Sequence, residues 1–267
     1  MTIDWCKDIR VFLQQFLILT MEIHLSDTTY FRRSIEALKE FLPQAQVHVS
    51  SEGLRIRGMD TAHVGLVDYF LSAKDCEAVK APRDSVFGVS TQFLHKVLAT
   101  AQGDKLSIVE KPDSLHLTFQ GEGRSAKFEL PTLEIEADAV ELPDMSYSAT
   151  IRAKSSDFVG AVKDLSLFGD SITMALDDEG FHMRAEGDMG KGALSLEPTD
   201  DREMTLEGDS VEMSYALKYV QQILKNACLL SATLEVSFDP SLPLRVSSRF
   251  GSESYFIAFL APKVQED

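Results

Sequence analysis

Ser51–Val67 reads S-E-G-L-R-I-R-G-M-D-T-A-H-V-G-L-V, two short alternating runs either side of a turn-rich M-D-T-A-H. Asp178–Leu194 reads D-E-G-F-H-M-R-A-E-G-D-M-G-K-G-A-L. It begins 127 residues later and says nearly the same thing: Glu-Gly, alternating apolar residues, an arginine, then a glycine-rich turn. A phrase repeated at domain-sized spacing predicts a duplicated fold rather than a solenoid.

The flanks repeat as well. Before the first phrase, Thr28–Leu42 sets Phe31, Ile35, Leu38 and Leu42 on one helical face; before the second, Ser155–Phe168 aligns Phe158, Val162 and Leu165. After the first, Thr91–Gln102 carries Leu94, Val97, Leu98 and Ala101; after the second, Ser214–Ala227 carries Leu217, Val220, Leu224 and Ala227. Alternating runs at Lys105–Val109, Leu115–Phe119, Leu234–Phe238 and Tyr255–Leu260 read as strands. Thr132–Met145 holds five acids and no base, the composition of a solvated connector, and Leu142-Pro143 gives it an extended exit. The expectation is an α+β chain of two similar domains. An N-terminal extension covers 1–20, the first domain 21–131, the connecting loop 132–146 and the second domain 147–267.

The 267 residues are 44% apolar, enough for a substantial core. Cys6, Cys76 and Cys228 fit neither a disulfide framework nor a metal-ligand spacing, which suits a reducing compartment. Val11–Leu19 is apolar but interrupted by Gln14 and Gln15, and too short to span a bilayer. It reads as a surface or packing segment, with no clean signal-peptide cleavage site after it.

Twenty-six Lys and Arg against 42 Asp and Glu leave a net charge of −16, which taken whole argues against nucleic acid. The distribution argues otherwise. Thr28–Leu42 carries +1, Thr91–Gln102 +1, Lys154–Phe168 0 and Ser214–Ala227 +2, so the rest of the chain carries −20. Lys218, Gln221, Gln222 and Lys225 fall at i, i+3, i+4 and i+7 opposite the apolar stripe, and Arg32 and Lys39 share a face. Any amphipathic helix carries some solvated lysines. Here all four predicted helices escape the acidic bias around them, as a sequence-blind phosphate-contacting face requires.

From Met21 to Val264 the chain resembles the proliferating cell nuclear antigen family of DNA sliding clamps. The resemblance rests on Ser51–Val67, on Asp164–Gly192 with D-L-S-L-F-G-D and D-E-G-F-H-M-R-A-E-G-D-M-G-K-G, and on Phe256–Val264, F-I-A-F-L-A-P-K-V. It implies clamp domains closed head to tail into a homotrimeric, pseudo-six-fold ring, with helices lining the hole. Edge strands near Leu115–Phe119 and Gly190–Leu196 would join the subunits. The DNA-facing cations implied are Arg32, Arg33, Lys39, Lys96, Lys163, Lys218, Lys225 and Lys263. A client-peptide pocket is implied at Met59, His63, Leu66, Val140, Leu142, Pro143, Tyr147, Pro243, Phe259, Ala261 and Pro262, with an acidic rim at Glu134–Glu141. Implied partners are double-stranded DNA read without sequence preference, further copies of the chain, a DNA polymerase, a clamp loader, and flap endonuclease and DNA ligase clients. The compartment would be the nucleus, or a viral replication compartment if a virus encodes the chain.

Departures from the family pattern are local. Residues 1–20 precede the usual start, Phe259 stands where the family often has tyrosine, and Asp178 stands where eukaryotic members carry a ubiquitin-accepting lysine. Leu167 and Ala99 replace polar or basic residues of the inner helices.

No phosphate-binding G-x-x-x-x-G-K-[ST] loop, zinc spacing among the six histidines or G-x-S-x-G elbow is present, so neither an enzyme nor a cofactor is expected. Alternative readings are a subunit of a heteromeric checkpoint clamp or an acidic scaffold that never touches DNA. The basic helices weigh against the second.

Overall fold

The computed structural model describes residues 20–100, 104–136 and 142–263. The apolar stretch at 11–19, Cys6, Val140 and most of the acidic rim lie outside them.

The first half runs β1 (Glu22–Leu25), α1 (Thr29–Leu38), β2 (Gln44–Ser50), β3 (Gly53–Met59), β4 (Gly65–Ser72), a single 3₁₀ turn (Ala73–Asp75), β5 (Ala78–Lys80), β6 (Ser85–Ser90), α2 (Thr91–Leu98), β7 (Lys105–Lys111), β8 (Ser114–Gly121) and β9 (Arg124–Pro131). The second half runs β10 (Ala149–Lys154), α3 (Ser155–Leu165), β11 (Ser171–Leu176), β12 (Phe181–Gly187), β13 (Gly190–Leu196), β14 (Glu203–Leu206), β15 (Val211–Ala216), α4 (Leu217–Ala227), β16 (Thr233–Asp239), β17 (Leu242–Phe250) and β18 (Ser254–Leu260). Element for element the two orders are the same, and so is the pairing. The first half builds β5-β1-β7-β8-β9 and β4-β3-β2-β6; the second builds β14-β10-β16-β17-β18 and β13-β12-β11-β15. The duplication read from the sequence is a duplication of topology.

The helices are shorter than their apolar periodicity suggests. Asp27 Oδ1 accepts the Thr29 N–H at 2.8 Å and starts α1, and Pro43 keeps the chain from continuing as helix. Ser90 Oγ accepts the Phe93 N–H and starts α2. α4 starts three residues later than predicted because Ser214–Ala216 still pair in β15 against β11. Each helix buries its apolar stripe against the sheets, and the buried side chains of both halves form one continuous core.

The opening phrase forms β3 and β4. Their turn is held by Asp60 Oδ1, which accepts the Val64 and Gly65 N–H groups at 2.9 and 2.8 Å, while His63 sits at φ 57°. Its echo forms β12 and β13 around Asp188-Met189, with Gly190 at φ 132°.

The halves meet where β18 pairs antiparallel with β4, fusing two sheets into one of nine strands; Tyr255 lies opposite Phe70 and Phe259 opposite Leu66. Equivalent strands at the far ends, β9 and β13, are left with an unpaired side in the described chain. Gly190–Leu196 is therefore an edge, as expected. Leu115–Phe119 is not: it lies in β8, flanked on both sides by β7 and β9. The true edge is one strand further on, at Arg124–Pro131.

Candidate DNA-facing surface and client pocket

α2 packs on α1, α1 on α4 across the junction of the halves, and α4 on α3, so the helices form one row on a single side of the sheets. Two bonds tie the middle of the row: Arg33 Nη1 donates to the Leu229 carbonyl at 3.3 Å, and Gln222 Nε2 to the Glu40 carbonyl at 3.0 Å. Lys96, Lys163, Lys218 and Lys225 are exposed, and Arg32 and Lys39 are half-buried on the flank of α1 that faces α2.

Pairing divides these cations from most of the others. Among the described residues, none of Arg32, Lys39, Lys96, Lys163, Lys218 and Lys225 forms an ion pair. On strands and turns most cations are paired, while Arg83, Lys111, Arg124, Lys127, Lys191 and Arg249 have no ion pair among the described residues. Arg57 bonds Asp68 at 2.9 Å, Lys80 bonds Glu22 at 2.9 Å, Arg202 bonds Asp157 at 3.0 Å and Arg245 bonds Glu235 at 2.8 Å; Arg184 pairs with Glu212. Asp157, one of the two acids of α3, is thereby neutralised from outside its helix. Two expected DNA-facing cations are engaged elsewhere: Arg33 holds the junction, and Lys263 lies 3.6 Å from Asp170. Sequence spacing ranks all eight alike, since it cannot see carbonyl or carboxylate partners from distant segments.

The expected pocket residues gather on the opposite face. Met59 pairs with Leu66 and Leu66 with Phe259, one row across β3, β4 and β18. The alternate rows point into the helix-covered core, so this row points away from it. Even so, Leu66 and Phe259 are only 7% and 6% exposed and belong to no part of the main core, while Met59 is 42% exposed. That marks a second, separate apolar patch on the outer face. Ala261 N–H donates to the Val64 carbonyl at 2.9 Å, running the C-terminal segment alongside the Asp60–Gly65 turn and its exposed His63. Leu142, Pro243 and Pro262 are half-buried and Pro143 exposed. Burial pushes the Tyr147 phenol up to about 12, with the Arg245 charge opposing and Asp239 assisting, so the connector's end sits beside the same row. Val140 lies outside the described residues.

The connector's beginning is also fixed: Leu133 exchanges both backbone hydrogen bonds with Gly88 on β6, and Gln46 Nε2 reaches the Ile135 carbonyl at 3.3 Å. A Cβ on Gly88 would stand 2.4 Å from the Leu133 oxygen, so only glycine permits this approach.

A twice-repeated domain with a single row of helices on one side of its sheets is the architecture of the DNA sliding clamps, which are not enzymes, and the comparisons with known families place the chain in that class. The models of the proliferating cell nuclear antigen N-terminal and C-terminal domains match residues 20–140 and 141–264, and the chain belongs to that family. It is 27% identical over 259 residues to the proliferating cell nuclear antigen of Chaetomium thermophilum, an alignment covering 92% of this chain and 99% of that protein. It is 29% identical over 252 residues to proliferating cell nuclear antigen 2 of Drosophila melanogaster, covering 92% and 98%.

Proposed function

We propose that three copies of this chain close head to tail around duplex DNA, give a DNA polymerase its processivity, and recruit replication and repair proteins through the outer apolar patch. The clamp domains would be residues 21–131 and 147–267, joined by the loop at 132–146 and preceded by an extension at 1–20. The inner cations would be Arg32, Lys39, Lys96, Lys163, Lys218 and Lys225, with Arg33 and Lys263 in supporting positions. A nuclear location goes with this role.

The observation that carries the proposal is the left-over pair of edges. Within one chain β18 already pairs with β4; β9 and β13 hold the same topological positions in their own halves and have no partner on their outer side among the described residues. Pairing β9 of one copy with β13 of the next repeats the existing junction and generates a closing heterologous contact. Exposed apolar side chains at the two ends of the helix row support it, Phe93 on α2 at 50% and Leu167 after α3 at 75%.

The client site is supported by its adaptable apolar lining, Met59, Leu66, Leu142 and Phe259, of the kind that accepts an amphipathic plug. Clients would include polymerase, clamp loader, flap endonuclease and ligase.

The test is retention. Loaded by a clamp loader on closed circular duplex, the protein stays bound through gel filtration; linearising the circle releases it. Equal retention on both forms is incompatible with encirclement.

A further inference from the structure

α2 carries one ionisable side chain to which the inner-face reading gives no role. His95 lies on the flank of α2 that faces α1, half-buried, and its Nδ1 is buried with no hydrogen-bond partner. From α1 and the turn that follows it, His95 feels Arg32 and Lys39 as like charges and Glu36 and Glu40 as opposite ones. Lys96 follows it on α2 itself. Beneath α2 lie β2 and β6. β6 offers no titratable side chain, and the exposed His48 of β2 alternates with the buried Val47 and Val49, on the far side of its sheet.

We propose that the α1–α2 groove is a phosphate-contact point with three donors, Arg32, Lys39 and His95, and that His95 takes up its proton only when the DNA backbone enters the groove. The proposal rests on the encircling reading above and adds a residue and a condition to it.

Without DNA, burial first and the Lys39 charge next hold the His95 imidazole below its ordinary value, with Arg32 adding to them against Glu36 and Glu40. The ring lies within electrostatic reach of two cations that have no ion pair of their own among the described residues. A phosphate placed against Arg32 and Lys39 cancels the repulsion that kept it neutral and supplies an acceptor for an imidazolium N–H. DNA binding then draws in a proton, and linkage requires affinity to rise as pH falls through the interval between the free and bound values. A neighbouring copy in the ring would approach α2 on the opposite flank, beside Phe93, leaving this groove open to the hole.

The probe is a fluorescently labelled duplex of about 30 base pairs, titrated with the full-length protein at constant low ionic strength. From about pH 8 to about pH 6 the wild-type affinity rises about fivefold, within the tenfold per pH unit that one linked proton allows. His95→Asn, which cannot take the proton, loses that rise while matching wild type at the alkaline end. His95→Lys binds at the alkaline end about as tightly as wild type does at the acidic end, and its affinity is flat with pH. The other five histidines are common to all three proteins and cancel. A slope in His95→Asn equal to that of wild type overturns the inference and leaves the encircling reading intact. A duplex that binds none of the proteins at any pH overturns the inference, while retention on closed circular against linear DNA decides the encircling reading separately.

Discussion

Asp75 shows how much one side chain can hold between two domains. It ends the 3₁₀ turn after β4, in the first half, yet its partners all belong to the β17–β18 hairpin of the second: Ser252 N–H at 2.5 Å, Glu253 N–H at 3.1 Å, Ser254 N–H at 3.1 Å and Ser254 Oγ at 2.6 Å. Burial alone would push its carboxyl up, but the Ser254 hydroxyl and the Ser252 and Glu253 amides together outweigh burial and bring it down to about 2. A carboxyl depressed from 3.8 in the unfolded chain stabilises the fold above that value, and the contribution is lost as pH falls through about 2. Discounted for partial exposure, it is worth about 1–2 kcal/mol at neutral pH. Asp75→Asn keeps the shape and removes the charge. Its unfolding midpoint in urea should drop at pH 7, and the gap to wild type should close as both approach pH 2. A gap constant with pH would show that the carboxylate's charge is not what matters. Nothing near Asp75 in the sequence announces this role, because all four donors come from more than 170 residues away.

At the scale of elements, the internal repeat predicts a register that the single chain does not contain. Leu130 at the end of β9 corresponds to Leu260 at the end of β18, and β13 corresponds to β4 through their shared pairing with β12 and β3, where Leu194 opposite Met183 matches Tyr69 opposite Ile56. Transferring the observed pairing of Phe259 with Leu66 puts Glu129 of one copy opposite Lys191 of the next, and pairing of Ala258 with Val67 puts Phe128 over Gly192. The faces agree. Glu129 shares its face with His116 and Lys191 with Glu186, while Phe128 and Gly192 lie on the face of Leu117 and Ala185, which is buried. Glu129→Lys alone sets like charges opposite each other and should weaken subunit association about three- to tenfold, and Lys191→Glu alone should do the same. The two together should recover most of it, as seen by sedimentation across a dilution series. Failure of the double variant to recover would mean a different register.

Elements also divide what the sequence makes legible from what it hides. The duplicated order of strands and helices can be read from periodicity, because each buried face imposes its own repeat of apolar residues. The free edge of the first half's sheet reads one strand too early, because β8 and β9 both alternate and which of them lies outermost depends on pairing alone. Met59 and the exposed helix lysines can be picked out. The separate burial of Leu66 and Phe259 cannot, since an apolar residue on an outer face looks like a core residue until the sheet is seen from both sides.

For the whole molecule, the central difficulty is that a chain of net charge −16 must hold an anionic polymer. Segregation resolves it: strand and turn cations are largely matched to neighbouring carboxylates, while Arg32, Lys39, Lys218 and Lys225 belong to the helix row and have no ion pair of their own among the described residues. Changing these four together to alanine therefore removes no ion pair, and the unfolding free energy should move by less than about 1 kcal/mol. Binding should respond differently. Each phosphate that goes unneutralised lowers the slope of log affinity against log salt by about 0.9, and a ring gives up these cations in every subunit at once. The variant should keep its oligomeric mass, remain on closed circular DNA because topology holds it there, and support markedly shorter polymerase runs because nothing orients it on the duplex. A salt slope unchanged in the quadruple variant would place the DNA somewhere other than against these helices, whatever the shape of the assembly.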